Sequence, residues 1–254
     1  MTDGNNTERR GPLAKEFWEA INSMDLAKVR SLLAQGCDPD VWGYGNRFGD
    51  LPLQAAARVG GDIGLAVVKA LVKSGADIDH RGDQRSTALH RAVYEDRKDG
   101  WTTARFLVQS GADCALLDSD GLTPPEAANN HGNDDAVLAM LDSGMSPKVC
   151  GVAGSLLWYV AWDSPFLVET LSKRGCPADF TNGVQTPLAR AIESFIGGEK
   201  SSPDVAQVIR TLVNAGADLN RIDGDPLAVV ESLLLDEALV QSGQKGKDWK
   251  DRVI

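Results

Sequence analysis

The sequence has few of the residues that catalytic and metal sites need. Its three histidines, His80, His90 and His131, do not recur at the spacing of metal ligands. Its four cysteines form no C-x-x-C pair, and no G-x-S-x-G, H-E-x-x-H or P-loop motif occurs. We therefore predict a protein that is not an enzyme and that has no catalytic residues, metal site or cofactor.

An excess of positive charge and a long apolar run are also missing. The 26 Lys and Arg residues are outnumbered by 36 Asp and Glu, so the net charge is −10. Phosphate backbones and anionic membranes select basic surfaces, and we expect neither nucleic-acid nor membrane binding. No segment approaches the roughly 20 apolar residues of a membrane span, and the polar start MTDGNNTERRGP lacks the apolar core of a secretory signal. Together with four cysteines that show no disulfide pattern, these absences predict a cytoplasmic protein.

Two short segments resemble ligand-binding loops but fit turns better. Residues 43–49 place their glycines at G-x-G-x-x-x-G spacing, and no apolar strand precedes them, as a phosphate loop would require. Residues 118–121, Asp-Ser-Asp-Gly, lack the remaining ligands of a calcium loop. A metal-dependent enzyme built on this acidic stretch is an alternative that the sequence alone leaves open.

One phrase occurs six times: a short apolar run, a glycine, then usually a small residue and an acid. The differences between successive glycine numbers are 39, 36, 33, 31 and 41 residues. A period of this size predicts a stack of structural repeats. The repeat glycines are Gly36, Gly75, Gly111, Gly144, Gly175 and Gly216.

A second recurring phrase lies 9 to 15 residues after each glycine and has the composition of a helix start. Thr123 and Thr186 can accept hydrogen bonds from free N–H groups of the first turn, and the prolines that follow them suit the first helical position. The glycines suit the residue just beyond a helix, which adopts a left-handed backbone. Each unit is therefore predicted to hold a short helix, a turn and a longer amphipathic helix.

These two phrases together resemble the ankyrin repeat. The most similar copy is Thr87-Ala88-Leu89-His90-Arg91-Ala92, followed by Gly111-Ala112-Asp113. The resemblance extends over residues 13–235. It implies an all-α ankyrin-repeat solenoid of about six helix-turn-helix units with short β-hairpin fingers. It also implies that the fingers and the first helices line a concave, protein-binding face, and that His90 makes local hydrogen bonds.

The predicted domain covers residues 13–240, between a disordered N-terminus at 1–12 and a polar tail at 241–254. Residues 13–50 lack the Thr-Pro phrase and are predicted to be an N-terminal cap unit with Phe17 and Trp18 in its core. Three of the cysteines, Cys37, Cys114 and Cys176, are expected to be small packing residues. The repeats are assigned to 51–80, 86–115, 122–147, 154–180 and 186–220, and a C-terminal cap helix to 225–240.

Candidate partner contacts lie where the repeats differ from one another. No Lys or Arg occurs between Arg105 and Lys148, a stretch with seven acids. Asp118 and Asp120 fall in a finger and Glu126 replaces His90 in the next first helix, so we expect all three on the concave side. Such a patch would attract a basic partner surface. A solvated acidic surface without a partner is the alternative.

Aromatic residues supply the second set of candidates. Trp158, Tyr159 and Trp162 lie on one first helix, and exposed Trp and Tyr are typical interface anchors. Packing inside an irregular repeat is the alternative for the two tryptophans. Tyr159 shares its repeat position with Arg91 and Arg190, and that position usually faces the groove in the family. Trp42 and Tyr44 lie in the first finger, where there is little core to join.

We expect a monomer that binds another protein, with a basic surface, through its concave face. An inhibitor, such as a bacterial immunity protein that neutralises a toxin, would suit such a compact acidic stack. The alternatives are an adaptor or scaffold in a larger complex and a host-directed effector.

Overall fold

A computed structural model of the protein describes residues 13–42, 49–94, 100–152, 154–162, 164–181, 185–196, 203–218 and residue 221. The chain divides into two compact units, Met1–Ser146 and Pro147–Ile254. Twelve α-helices occur in the described ranges. The predicted N-terminal segment 1–12, cap helix 225–240 and tail 241–254 lie outside the described residues, and the single domain over 13–240 stays a prediction.

The first unit contains four pairs of helices that follow one another along the chain. Each pair has a first helix and a second helix, as the repeated phrases predict. The helices are α1 (Ala14–Asn22), α2 (Leu26–Ala34), α3 (Pro52–Val59), α4 (Gly61–Lys73), α5 (Ala88–Val93), α6 (Gly100–Gln109), α7 (Pro124–Asn130) and α8 (Asp134–Asp142).

The described residues of the second unit contain two more pairs, and in each the first helix again follows a loop and the second ends at a repeat glycine. The first pair is α9 (Leu156–Val160) and α10 (Pro165–Lys173), and the second is α11 (Pro187–Ile196) and α12 (Pro203–Asn214). First helix α9 packs against both α10 and α11, and α10 packs against α12. The helices therefore stack pair upon pair within this unit.

The six repeat glycines end the second helices in the same way. Their φ angles lie between 84° and 104°, in the left-handed region. The residue after each glycine donates its N–H to the carbonyl five positions earlier, as Ala112 does to Leu107 at 3.0 Å. A Cβ added at any of these glycines would meet nothing within 4 Å. Backbone conformation rather than space therefore requires glycine here.

Small polar side chains start several helices, as predicted. Thr186 accepts a hydrogen bond from Ala189 N–H at 3.2 Å, and Ser155 accepts one from Trp158 N–H at 3.1 Å. Thr123 differs from the prediction, because its hydroxyl donates to Glu126 Oε2 at 2.8 Å. At this helix the Glu126 carboxylate accepts the N–H of the cap residue Thr123 itself, at 2.8 Å.

The core consists mainly of Leu, Val and Ala side chains from the facing sides of the helices. Phe17 and Trp18 are buried in the first unit, as predicted, and Trp18 Nε1 donates to the Val41 carbonyl at 3.1 Å. All four cysteines are free, and Cys114 and Cys176 are buried. Burial raises the pKa of Cys114 to about 12 and that of Cys176 to about 11, so both remain neutral thiols.

Two described fingers, at residues 82–86 and 118–122, are hairpin-like turns rather than the β-hairpins that the resemblance implies. Gly82 N–H donates to the Ser86 carbonyl at 3.1 Å, and Asp118 N–H donates to Leu122 at 3.0 Å. In the described loops, strand pairing is limited to one isolated antiparallel bridge, between Cys150 and Ser155. That finger has two closing bonds, from Gly151 N–H to the Gly154 carbonyl and from Leu156 N–H to the Val149 carbonyl, both at 2.9 Å.

Neighbouring fingers are joined by a series of carboxylate-to-backbone hydrogen bonds, here called the finger ladder. Asp40 accepts the N–H of Asp77 at 2.9 Å, and Asp79 accepts the N–H of Asp113 at 2.9 Å. In the second unit Asp179 accepts the N–H of Asp218 at 3.0 Å. The acids that lie two residues after the repeated phrase therefore join successive repeats.

Candidate functional site

In two repeats of the first unit, the third residue of the first helix connects its repeat to the next loop. Gln54 accepts the N–H of Leu51 at 2.8 Å and donates to the carbonyls of His80 at 2.8 Å and Ser86 at 2.9 Å. His90 in the next repeat does the same with other atoms. Its Nδ1 accepts the N–H of Thr87 at 3.2 Å, and its Nε2 lies 3.1 Å from the Leu122 carbonyl.

This pattern assigns a structural role to His90. Since Nδ1 must accept from Thr87 N–H, the proton lies on Nε2 and is donated to Leu122. Burial lowers the pKa of His90, which keeps the ring neutral. The predicted local hydrogen bonding of His90 is confirmed.

Glu126 takes the same position in the third repeat and is completely buried, with 0% of its surface exposed. Its Oε2 accepts both the N–H and the hydroxyl of Thr123 at 2.8 Å. The expectation that Glu126 faces a docking surface is therefore wrong. A carboxylate here closes the start of its own helix.

Asp118 is also buried, with 3% of its surface exposed. Its Oδ1 accepts the N–H groups of Asp120 and Leu122 at 2.9 Å, and the Tyr94 hydroxyl donates to its Oδ2. The carboxylate thus shapes the finger turn, and the expected exposure of Asp118 is wrong. Of the three acids proposed for a concave patch, Asp120 alone is exposed.

Arg91 is buried as well, with 8% of its surface exposed, so its expected position on an open groove is wrong. Its Nε lies 2.7 Å from Oδ1 of Asp50, and Arg58 Nε donates to Oδ2 of the same carboxylate at 3.1 Å. Asp50 has a fully buried side chain and was not predicted. The one available signal was its place directly before the Leu51-Pro52 helix start.

In the second unit, the same positions build a partly exposed cluster. We call Trp158, Tyr159, Trp162 and Arg190 the aromatic cluster. The Arg190 guanidinium carbon lies 3.6 Å from the Trp158 ring centroid and 5.0 Å from that of Trp162. Tyr159 meets Trp158 edge-on at 5.4 Å. All four residues are partly exposed. They are therefore neither buried in the core nor fully exposed, which were the two alternatives that the sequence left open.

Two neighbours hold Trp158 in place. Its Nε1 donates to Gln185 Oε1 at 3.2 Å, so it reaches towards the next helix start as Gln54 and His90 do. A Cβ on Gly154 would lie 2.8 Å from Trp158 Cδ2. Only glycine therefore leaves room for the indole, and neither Gly154 nor Gln185 was predicted to contribute.

The remaining candidates are Trp42 and Tyr44. Trp42 is 50% exposed, which agrees with the expected surface position on the first finger. Tyr44 lies outside the described residues. Whether any of these residues contacts a partner stays a prediction.

In the described ranges, no group of three or more His, Cys, Asp or Glu side chains is arranged to hold a metal ion. Within the same ranges, none of the helices combines the length and apolarity needed to cross a membrane.

Stacked helix pairs that end in the same glycine cap define a helical repeat protein. A family model described as ankyrin repeats (3 copies) matches residues 17–118. Residues 17–118 are therefore ankyrin repeats, and the chain has the ankyrin-repeat solenoid fold. Ankyrin repeats generally mediate protein–protein interactions and are typically not enzymes.

Two comparisons with known proteins agree with this family. The chain is 33% identical over 110 residues to human SH3 and multiple ankyrin repeat domains protein 2. The matched segment is 43% of this chain and 6% of that protein. Protein 1 of that name from rat is matched equally over 5% of its length. The chain thus matches about one-twentieth of these relatives. The crystal structure of the human ASB11 ankyrin repeat domain aligns with a TM-score of 0.61 and 22% identity, over 89% of this chain and 97% of that one.

Proposed function

We propose that the chain is a non-enzymatic module that binds a partner protein through its first helices and fingers. The aromatic cluster is the observation that carries this proposal. Trp and Tyr rings that are neither buried nor fully solvated bring large contact areas at low entropic cost, which is typical of interface anchors. Trp42, half exposed on the first finger, is a second candidate anchor.

We infer the charge of the proposed partner from the net charge of the whole chain rather than from a local acidic patch. A net charge of −10 favours association with a protein that has a basic surface. Asp120 is the remaining exposed member of the predicted concave acids, and Asp135 and Asp142 are exposed on α8. The supporting charge is therefore spread over the first unit.

The role of the interaction has two candidates. An inhibitor, such as an immunity protein of a toxin, would need only a stable binding face and no further domain. An adaptor is favoured by the names of the human and rodent relatives, in which ankyrin repeats accompany an SH3 domain. A toxin gene beside the gene for this chain would support the inhibitor and oppose the adaptor. We also propose a cytoplasmic location, which the four free cysteines support.

Quantitative affinity capture from the native cell extract tests the binding role. Tyr159→Ala removes a partly exposed ring from the aromatic cluster, and we expect it to reduce partner recovery at least about tenfold. Phe166→Ala is the matched control, because Phe166 is 56% exposed but lies on the second helix α10.

Two results would contradict the proposal. One is equal recovery of every captured protein by the wild type and by Tyr159→Ala. The other is a metal-dependent activity that Asp118→Ala and Asp120→Ala abolish, which would support an enzyme instead.

A further inference from the structure

Three first helices of the first unit, α3, α5 and α7, are preceded by a residue with a left-handed backbone, always two positions before the N-cap. Two of these residues are glycines, Gly49 with a φ angle of 60° and Gly121 with one of 76°. The third is Arg85, with a φ angle of 55°. A left-handed backbone costs more for a residue with a Cβ than for glycine. Stability therefore favours glycine at this position, and the arginine needs another explanation.

The strained backbone of this finger extends over two residues and is fixed from both sides. Gln84 also has a positive φ angle, of 59°. Its carbonyl accepts the Ser119 N–H of the following finger at 2.7 Å. On the other side, Asp83 N–H donates to the Gly49 carbonyl of the preceding finger at 3.4 Å. Strained residues that their surroundings hold in place cluster at sites that bind a ligand.

The Arg85 side chain lies exposed on this finger. In the ranges that the structure describes, its guanidinium takes part in neither an ion pair nor a hydrogen bond. The carboxylate of Asp83 lies against Gly49 in the preceding finger, where an added Cβ would collide with it. Gln84 Oε1 is occupied as well, since it accepts from Arg91 Nη1 at 3.5 Å. Arg85 therefore keeps its charge and its in-plane N–H donors for another molecule.

A planar guanidinium with available donors binds a carboxylate through two parallel hydrogen bonds. Arg81, on the same finger, is also exposed and adds positive charge. From this geometry we infer that the finger at residues 82–86 docks a segment of the partner protein that presents an Asp or Glu side chain to Arg85. The inference rests on the proposed protein-binding function and specifies the chemistry of one contact.

The fixed backbone favours such a contact, because a finger that is already ordered loses little entropy on binding. Nucleic-acid phosphates, which a guanidinium also binds, are disfavoured by the net charge of −10. A partner that is basic overall can still carry one acid here, since the contact joins two side chains.

Two substitutions of Arg85 separate its role in binding from its effect on the fold. Arg85→Gly restores the residue that the other two fingers have, and we expect it to raise the melting temperature by about 2 °C. Arg85→Gln removes the charge and keeps a Cβ, so its melting temperature should stay within about 1 °C of that of the wild type. Both variants should lose the contact with the acid.

A phage-displayed library of random heptapeptides tests the binding, with the full chain as bait and Arg85→Gln for counter-selection. We expect the wild-type-specific clones to share an Asp or Glu. A synthetic peptide of that sequence should bind Arg85→Gln and Arg85→Gly at least about tenfold more weakly than the wild type in calorimetric titration. Arg85→Glu should select peptides with Lys or Arg instead. Arg30→Gln, exposed on the second helix α2, is the matched control and should bind like the wild type.

Circular dichroism establishes that each variant is folded before binding is compared. Clones without an acidic preference, equal binding to wild type and Arg85→Gln, or no wild-type-specific clone would overturn the inference. A lower melting temperature for Arg85→Gly would also overturn it, because the arginine would then serve the fold. Loss of partner recovery with Tyr159→Ala but not with Arg85→Gln would overturn the acidic contact and leave the proposed function intact. Recovery that neither substitution affects would remove both.

Discussion

The first unit uses its polar residues to hold repeats together, whereas the second unit uses aromatic residues at the same positions. Gln54 and His90 reach the backbone of the next loop directly. Trp158 reaches it through the side chain of Gln185. Likewise Arg91 pairs with a buried carboxylate, and Arg190 stacks on two rings. One repeat position can therefore form an ion pair in one copy and a cation–π stack in another.

Removal of the Asp50 carboxylate, the partner of Arg91, should reveal the largest difference in stability between the two units. Asp50→Ala leaves Arg91 buried without its counter-charge, and we expect a loss of about 3 kcal/mol in the free energy of unfolding. Arg190→Ala removes a partly exposed stack and should lose about 1 kcal/mol. Urea denaturation followed by far-UV circular dichroism measures both values.

Asp120→Ala provides the control for Asp50→Ala, because Asp120 is exposed, and its effect should stay within about 0.5 kcal/mol. Equal losses for Asp50→Ala and Arg190→Ala would show that the two arginines are held equally firmly, and the comparison between the units would fail.

Substitution of His90 should have a smaller effect on the free energy of unfolding, and that effect should depend on pH. Its pKa is lowered in the folded state, so folding favours the neutral ring. The contribution of His90 to stability is present above its unfolded pKa of about 6.5 and declines as the pH falls towards the folded pKa. His90→Gln should reduce this acid sensitivity and keep the hydrogen bonds that Gln54 makes in the preceding repeat.

Thermal melting of both proteins between pH 7.5 and 5 measures the His90 effect. His90→Ala, which leaves the Leu122 carbonyl and the Thr87 N–H without this partner, should lose about 1–3 kcal/mol near pH 7.5 and less as the pH falls. A wild-type melting temperature that declines with acid no faster than that of His90→Gln would refute the assignment.

Substitution of a repeat glycine should reduce the free energy of unfolding equally in the two units. Gly111 and Gly175 have φ angles of 97° and 84°, and a Cβ on either would meet no atom within 4 Å. Gly111→Ala and Gly175→Ala should each lose about 1 kcal/mol through backbone strain alone. Unequal losses in urea denaturation would mean that the surroundings of the caps, rather than their backbone, differ between the units.

The fold could be predicted because its determinants are local. A left-handed glycine, a capping hydroxyl and a proline in the first turn each act within about five residues, so they can be recognised along the chain. The described helices begin and end at these signals, as at Pro124 and Gly111. The exact form of the fingers could not be predicted, since turns with one closing hydrogen bond and turns with two contain the same types of residue.

The site was harder to predict because exposure depends on residues of neighbouring repeats. Arg91 is buried by Asp50, which lies 41 positions earlier. Asp118 is covered through Tyr94, and Glu126 turns back onto Thr123. By contrast, all four members of the aromatic cluster were candidates from the sequence. The contact between Arg190 and the rings could not be predicted, because it depends on which repeats are neighbours in space.

The finger ladder also bears on how such a chain can gain or lose a repeat by duplication. Asp40 and Asp79 each present an acceptor to the following repeat, and Asp77 and Asp113 each supply the donor. A copied segment that begins and ends at these joints keeps both halves of the bond. At the corresponding joint of the second unit, Lys148 stands in the acceptor position and Pro177, which has no N–H, in the donor position. The finger-ladder bond therefore cannot form at that joint, and a repeat duplicated there would carry neither half of the bond.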